Sequence, residues 1–144
     1  MLEGTEPADE AVRKERLVMH VRTCERGEVR IPFHVGADRS RTWVITPAGP
    51  ELRLKHDHRH EDGTEGRITQ YGGDTRGVHQ GLRRDFFADA HTAALIPAAA
   101  ENVWTIALEP GKSFSYALRR EKQGRRFRVE FDLTRAVPAP PAPW

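Results

Sequence analysis

Three histidines recur at two-residue spacing in the run Leu52-Arg-Leu-Lys-His-Asp-His-Arg-His60. In an extended strand, side chains at i, i+2 and i+4 share one face. His56, His58 and His60 therefore continue the face begun by the apolar Leu52 and Leu54. Such a strand either enters a polar pocket or metal site, or runs out into water. Neighbouring histidines on this face have Cα atoms roughly 6.6 Å apart, so two rings can converge on one ion with bonds of about 2.0–2.1 Å. His56 and His60 lie about twice as far apart, too far for all three to share an ion. A mononuclear site would take one adjacent pair plus a ligand from elsewhere. Glu65, just beyond the following turn, can fold back as ligand or general base, and His79 and His91 are the other nearby candidates. Nitrogen ligands with a carboxylate suit a divalent transition metal (Zn, Fe, Mn, Ni or Cu), and spacing does not choose among them. Lys55, Asp57, Arg59 and Glu61 interleave with the histidines, so a solvated rim that holds nothing fits the same pattern.

The spacing also resembles the first metal-binding motif of the cupins. There, two histidines one residue apart are followed by a glutamate and, six residues later, a glycine. His58, His60, Glu65 and Gly72 stand at those positions. The resemblance implies a small double-stranded β-barrel with a divalent metal at its centre, held by His58, His60 and Glu65. The chain departs from the family at Leu52, where a glycine is expected. It also reduces the second motif to Pro97, with Ala99 for its glycine and Asn102 for its histidine, which leaves Asn102, His79 or His91 to stand in as the fourth ligand.

Other residues carry weaker chemistry. Asp89 and His91 suit an acid–base pair or, more simply, a helix cap beside a surface histidine. Ser113 and Ser115 fall on the outer face of a regular strand without a nucleophile elbow. The stretch Gly72-Gly73-Asp-Thr-Arg-Gly77 lacks the spacing of a phosphate-binding loop. Cys24 is the only cysteine, which excludes an internal disulfide and any multi-cysteine zinc motif.

The elements that must position these groups are strands. Residues 16–24 and 28–35 read as a β-hairpin, with His20 and His34 on its surface and Pro32 requiring an edge or a bulge. A strand over 42–46 precedes the histidine strand 51–60, and Asp62-Gly63 makes a turn. Residues 66–81, rich in glycine, read as a long irregular loop able to cover a pocket. A strand over 82–87 and a helix over 89–96, capped by Asp89 and stopped by Pro97, come next. Three strands then alternate apolar and polar residues: Trp104, Ile106 and Leu108; Phe114, Tyr116 and Leu118; Phe127, Val129, Phe131 and Leu133. They predict an antiparallel meander with one wet face. Trp43 and Trp104 take core positions. Residues 1–14 read as a flexible arm, 15–136 as one β-domain, and 137–144 as an extended proline-rich tail. The fold class expected is all-β, a single-domain antiparallel β-sandwich or small β-barrel of about eight strands with one short helix.

Composition narrows the function classes. At 144 residues, 38% hydrophobic and 31% charged, the chain suits a modest core under a charged surface. Net charge is only +2, and an excess of Arg over Lys follows from codon bias in a GC-rich bacterial genome. The main basic cluster, residues 119–126, is a hairpin tip, which argues against nucleic acid as a partner. No apolar run approaches the roughly 20 residues of a membrane helix, and the acidic N-terminus has no signal-peptide core, so a cytoplasmic protein is expected. A small-molecule ligand and a homo-oligomer are both compatible with these features. Two functions are open: a metal-binding β-protein with a histidine-lined site, acting as an enzyme on a small molecule, or a non-catalytic module binding a ligand or protein, with a solvated histidine rim.

Overall fold

The computed structural model describes residues 1–144. In chain order the strands are β1 (Leu2–Gly4), β2 (Leu17–Met19), β3 (Thr23–Glu25), β4 (Glu28–Val35), β5 (Asp38–Ala48), β6 (Glu51–His58), β7 (Tyr71–Asp74), β8 (Arg83–Ala88), β9 (Val103–Glu109), β10 (Ser113–Arg120) and β11 (Arg125–Asp132). Helix α1 (Pro7–Arg13) joins β1 to β2, and α2 (Ala90–Leu95) joins β8 to β9. All strands belong to one antiparallel sheet, ordered β1-β11-β10-β9-β8-β7-β6-β5-β4-β2, with β3 also on β4. The sheet curls into a half-barrel, the barrel-like alternative of the two architectures expected.

Alternation decides what faces inward. The concave face collects Ile31, Phe33, Trp43, Leu54, Phe86, Trp104, Ile106, Phe114, Tyr116 and Val129 into one core cluster. Aromatic rings dominate it: Trp43 stacks on Phe33 at 4.9 Å between centroids and on Tyr116 at 4.4 Å. The meander of β9, β10 and β11 is as anticipated, with Phe114 opposite both Leu108 and Phe131.

The structure has eleven strands rather than about eight, and each difference has a local cause. The expected strand 16–24 is split into β2 and β3 because Pro32 on the facing β4 has no amide to donate. The ladder lapses there, leaving single bonds from His20 N to the Pro32 carbonyl (3.2 Å) and from Arg22 N to that of Arg30 (3.0 Å). A bulge follows between Phe33 and Val35. The expected loop 66–81 contains β7, which completes the sheet between β6 and β8. Only glycine fits at its centre: a Cβ on Gly72 would lie 1.9 Å from the Leu54 carbonyl oxygen, and one on Gly73 would lie 1.6 Å from that of Phe87.

The segment 1–14, expected as a flexible arm, is built into the fold. β1 pairs with β11, one end of the sheet, while β2 pairs with β4 at the other. The β1–α1–β2 segment is thus a strap across the open side of the half-barrel. α1 starts with a capping box between Glu6 and Asp9 and has Pro7 in its first turn, where the missing amide costs nothing. The proline-rich tail is also docked: Trp144 N donates to the Arg39 carbonyl at 3.1 Å, and Arg39 donates to the Ala142 carbonyl at 2.7 Å. Residues 138–141 and His34 line one small cavity, and His34 is buried rather than on the surface as expected. No helix is long and apolar enough to cross a membrane.

Candidate ligand pocket

The aromatic core fills most of the concave face but leaves a cavity of about 280 Å³ at the end roofed by α1. Strand parity explains its lining. β5 contributes Arg41 and Trp43, β6 His56 and His58, β7 Tyr71, β10 Tyr116 and Leu118, and β11 Arg125 and Phe127. These are the inward positions of strands whose neighbouring inward positions build the core. α1 adds Asp9 and Val12 from above.

His56 is buried in the cavity wall and is only 6% exposed. Its Nδ1 lies 2.9 Å from the Tyr71 carbonyl, and its Nε2 2.8 Å from the Tyr116 hydroxyl. A carbonyl can only accept, so Nδ1 carries the proton and Nε2 accepts from Tyr116. The Tyr71 ring also stacks on His56, 4.5 Å between centroids and 9° from parallel. Burial pushes the His56 pKa down to about 4, outweighing the Tyr71 carbonyl, which raises it; Lys55 and His58 lower it further. Burial also holds the Tyr116 hydroxyl well above the usual tyrosine range. The pair is therefore neutral near pH 7, with every proton assigned.

Cationic groups cluster towards the mouth. The Arg125 guanidinium makes a two-point ion pair with Asp9, one arm at 2.8 Å, and reaches Glu6 at 3.2 Å. Asp9 is 4% exposed. Burial alone would raise its pKa, but hydrogen bonds from Arg125 and the Glu6 amide hold it below the ordinary aspartate value. Arg41 pairs with Asp38 at the rim. His58 is half-buried, and its pKa is lowered by burial and then by Arg41.

The sequence-predicted site residues do not gather at one point. His56 and His58 face the cavity, as the shared-face argument requires, while His60 lies beyond the end of β6 and is exposed. Glu65 is exposed and accepts from the Gln70 amide at 3.0 Å. His79 sits 3.2 Å from Glu51, which also takes bonds from Thr75 and the Gly77 amide, so it fastens a loop. His91 is exposed on α2. Asn102 is buried and accepts from Arg120 at 2.7 Å. No group of three or more His, Cys, Asp or Glu side chains is placed to hold one ion. Asp89 caps α2 by accepting from the Thr92 amide at 2.9 Å and pairs with Lys55 at 2.5 Å, which is the capping alternative for the Asp89–His91 pair. Asp57 turns outward as expected and bonds Arg30 at 2.6 Å.

Sequence reasoning did not pick out Asp9, Arg41, Tyr71, Tyr116 or Arg125. The parity signal was present for Tyr116, which alternates with Phe114 and Leu118, and for Arg125, which precedes Phe127 on the same face. A single tyrosine or arginine in such a row reads as the end of a core stripe. Searches of known protein families, curated proteins and solved structures find no match to this chain.

Proposed function

We propose that this protein is a non-catalytic binding module that holds a small organic molecule inside its half-barrel, in the cavity beneath α1. One observation carries the reading. A space of about 280 Å³ stays open among Trp43, Phe127, Leu118 and Val12, and polar groups of Tyr116, His58 and Arg41 border it. An apolar chamber with a few convergent polar groups is the usual form of a small-molecule site, and this volume, just below the common range, suits a compact ligand. A binding role fits the chemistry of the pocket better than a catalytic one. Both His56 nitrogens are engaged and Tyr116 keeps its proton, so the pair positions groups rather than transferring protons. A metal-dependent reading would rest on His58 and an exposed His60, with a further ligand to be recruited.

A screen of small planar fragments by tryptophan emission tests this, with Leu118→Trp as a variant that fills the cavity. Binding to the wild type, lost in a folded Leu118→Trp, is expected. Equal binding by both proteins would place the ligand elsewhere. Elemental analysis of untagged protein tests the metal reading separately: a stoichiometric metal lost on replacing His58 and His60 would favour it.

A further inference from the structure

Two carboxyl-bearing residues border the cavity, and they differ in origin. Asp57 belongs to the barrel, but its carboxylate lies on the outer face, bonded to Arg30, Arg59 and Gln70. Asp9 belongs to the strap, and its carboxylate meets the Arg125 guanidinium at two points, while Glu6 of the same strap reaches the Arg125 Nε at 3.2 Å. Without the strap, the wall of the chamber presents the Arg125 guanidinium without a carboxylate partner, whereas Arg41 keeps Asp38 and the His58 pKa is lowered by burial. The Asp9 carboxylate lies in the fork of Arg125 as a ligand's carboxylate would, since planar guanidinium and carboxylate match at two points. The Phe127 ring lies 5.7 Å from the Arg125 guanidinium carbon, giving that fork an aromatic flank.

The β1–α1 part of the strap, which delivers Asp9, is short, and its hydrogen bonds to the barrel run to β11. β1 has three residues and α1 has seven. Outside the Asp9 and Glu6 contacts with Arg125, the fastenings include the short β1–β11 ladder and a bond from the Thr5 amide to the Arg126 carbonyl at 3.0 Å. A neutral ligand can offer Arg125 at most an uncharged acceptor, whereas a carboxylate matches the guanidinium in charge and at two points.

We propose that the ligand is a small aromatic or similarly flat monocarboxylate, and that it binds by taking Arg125 from Asp9, so that occupancy of the cavity releases the β1–α1 strap. This rests on the cavity being the ligand site. Asp9 is then a built-in competitor that sets both the selectivity for anions and the threshold for opening. In the free protein, only the fraction of molecules with Asp9 displaced presents an unpaired guanidinium, which weakens apparent affinity by that fraction.

Benzoate and its neutral isostere benzamide are the probes, titrated by calorimetry into wild type and Asp9→Asn. Benzoate should bind wild type more tightly than benzamide does, and Asp9→Asn should strengthen benzoate roughly tenfold while leaving benzamide unchanged. In wild-type protein, benzoate should also speed hydrogen exchange at the Thr5 amide, a readout that stands even if Asp9→Asn does not fold. Equal binding of the two probes, or slower Thr5 exchange with benzoate, would overturn the displacement while leaving the pocket as a ligand site. Binding of neither probe would overturn both.

Discussion

The Tyr116 hydroxyl donates to His56 Nε2 across 2.8 Å, joining two strands 60 residues apart at the floor of the cavity. The opposite nitrogen of the same ring is fixed by the Tyr71 carbonyl, so the sheet holds one tautomer of one histidine. Removing either partner leaves a buried polar atom with nothing to bond. Tyr116→Phe should cost about 1–3 kcal/mol, and His56→Leu should cost at least as much because it strands both the hydroxyl and the carbonyl. Urea unfolding of the two variants checks the order.

His56 also sets a pH limit. Above pH 6.5 the ring is neutral in both folded and unfolded chains, and its contribution is intact. As pH falls from 6.5 through about 4, the unfolded chain gains a proton that the buried ring does not take up. Stability should drop by on the order of 3 kcal/mol across that window and then level off as far as this group is concerned. Melting curves from pH 8 to 4 should show the fall in wild type and a smaller one in His56→Leu.

The strap carries one buried ion pair, between Asp9 and Arg125. Arg125→Met leaves the buried Asp9 carboxylate without its cation and should cost about 3–5 kcal/mol. Asp9→Asn keeps a hydrogen-bond acceptor and should cost less. Hydrogen exchange in either variant should rise first over residues 2–13, before the central strands.

Gly72 and Gly73 cannot be replaced. A methyl group on either would collide with a carbonyl oxygen of the neighbouring strand, so Gly72→Ala and Gly73→Ala should both disrupt β7 and, with it, the carbonyl that orients His56. Loss of cooperative unfolding in circular dichroism would report it. Gly77→Ala, whose Cβ meets nothing within 4 Å, should be far milder, limited by the strain of its positive φ.

The tail lies across a cavity from His34. The His34 pKa is lowered chiefly by burial and secondarily by Arg39, with Arg22 and His20 adding to the shift and Asp38 opposing it. Deleting residues 138–144 uncovers it, so its pKa should move up towards 6.5. A histidine-resolved NMR titration of the full chain and the truncated chain measures the change.

Much of the fold was legible because two-residue alternation reports directly on which side of a sheet is dry. Phe114, Tyr116 and Leu118, and the Leu52–Leu54–His56 row, could be assigned to one face from sequence alone. What escaped depends on contacts distant in the chain. Tyr71 sits in a glycine-rich stretch with no apolar pattern, and its strand forms because β6 and β8 leave room only for glycines. Asp9 lies in a short helix without a periodic apolar face, and its importance follows from Arg125, 116 residues away. The histidine row was visible as a pattern, but its fate was not. His56 is consumed by hydrogen bonds to residues 15 and 60 positions on, and His60 passes the end of the strand.

The most direct measurement is the position of a small bound aromatic molecule, read from intermolecular nuclear Overhauser effects. Contacts from benzoate or benzamide to the rings of Trp43, Tyr71 and Tyr116 are expected. Contacts confined to the outer face of the sheet, with those three rings untouched, would contradict a ligand site inside the half-barrel.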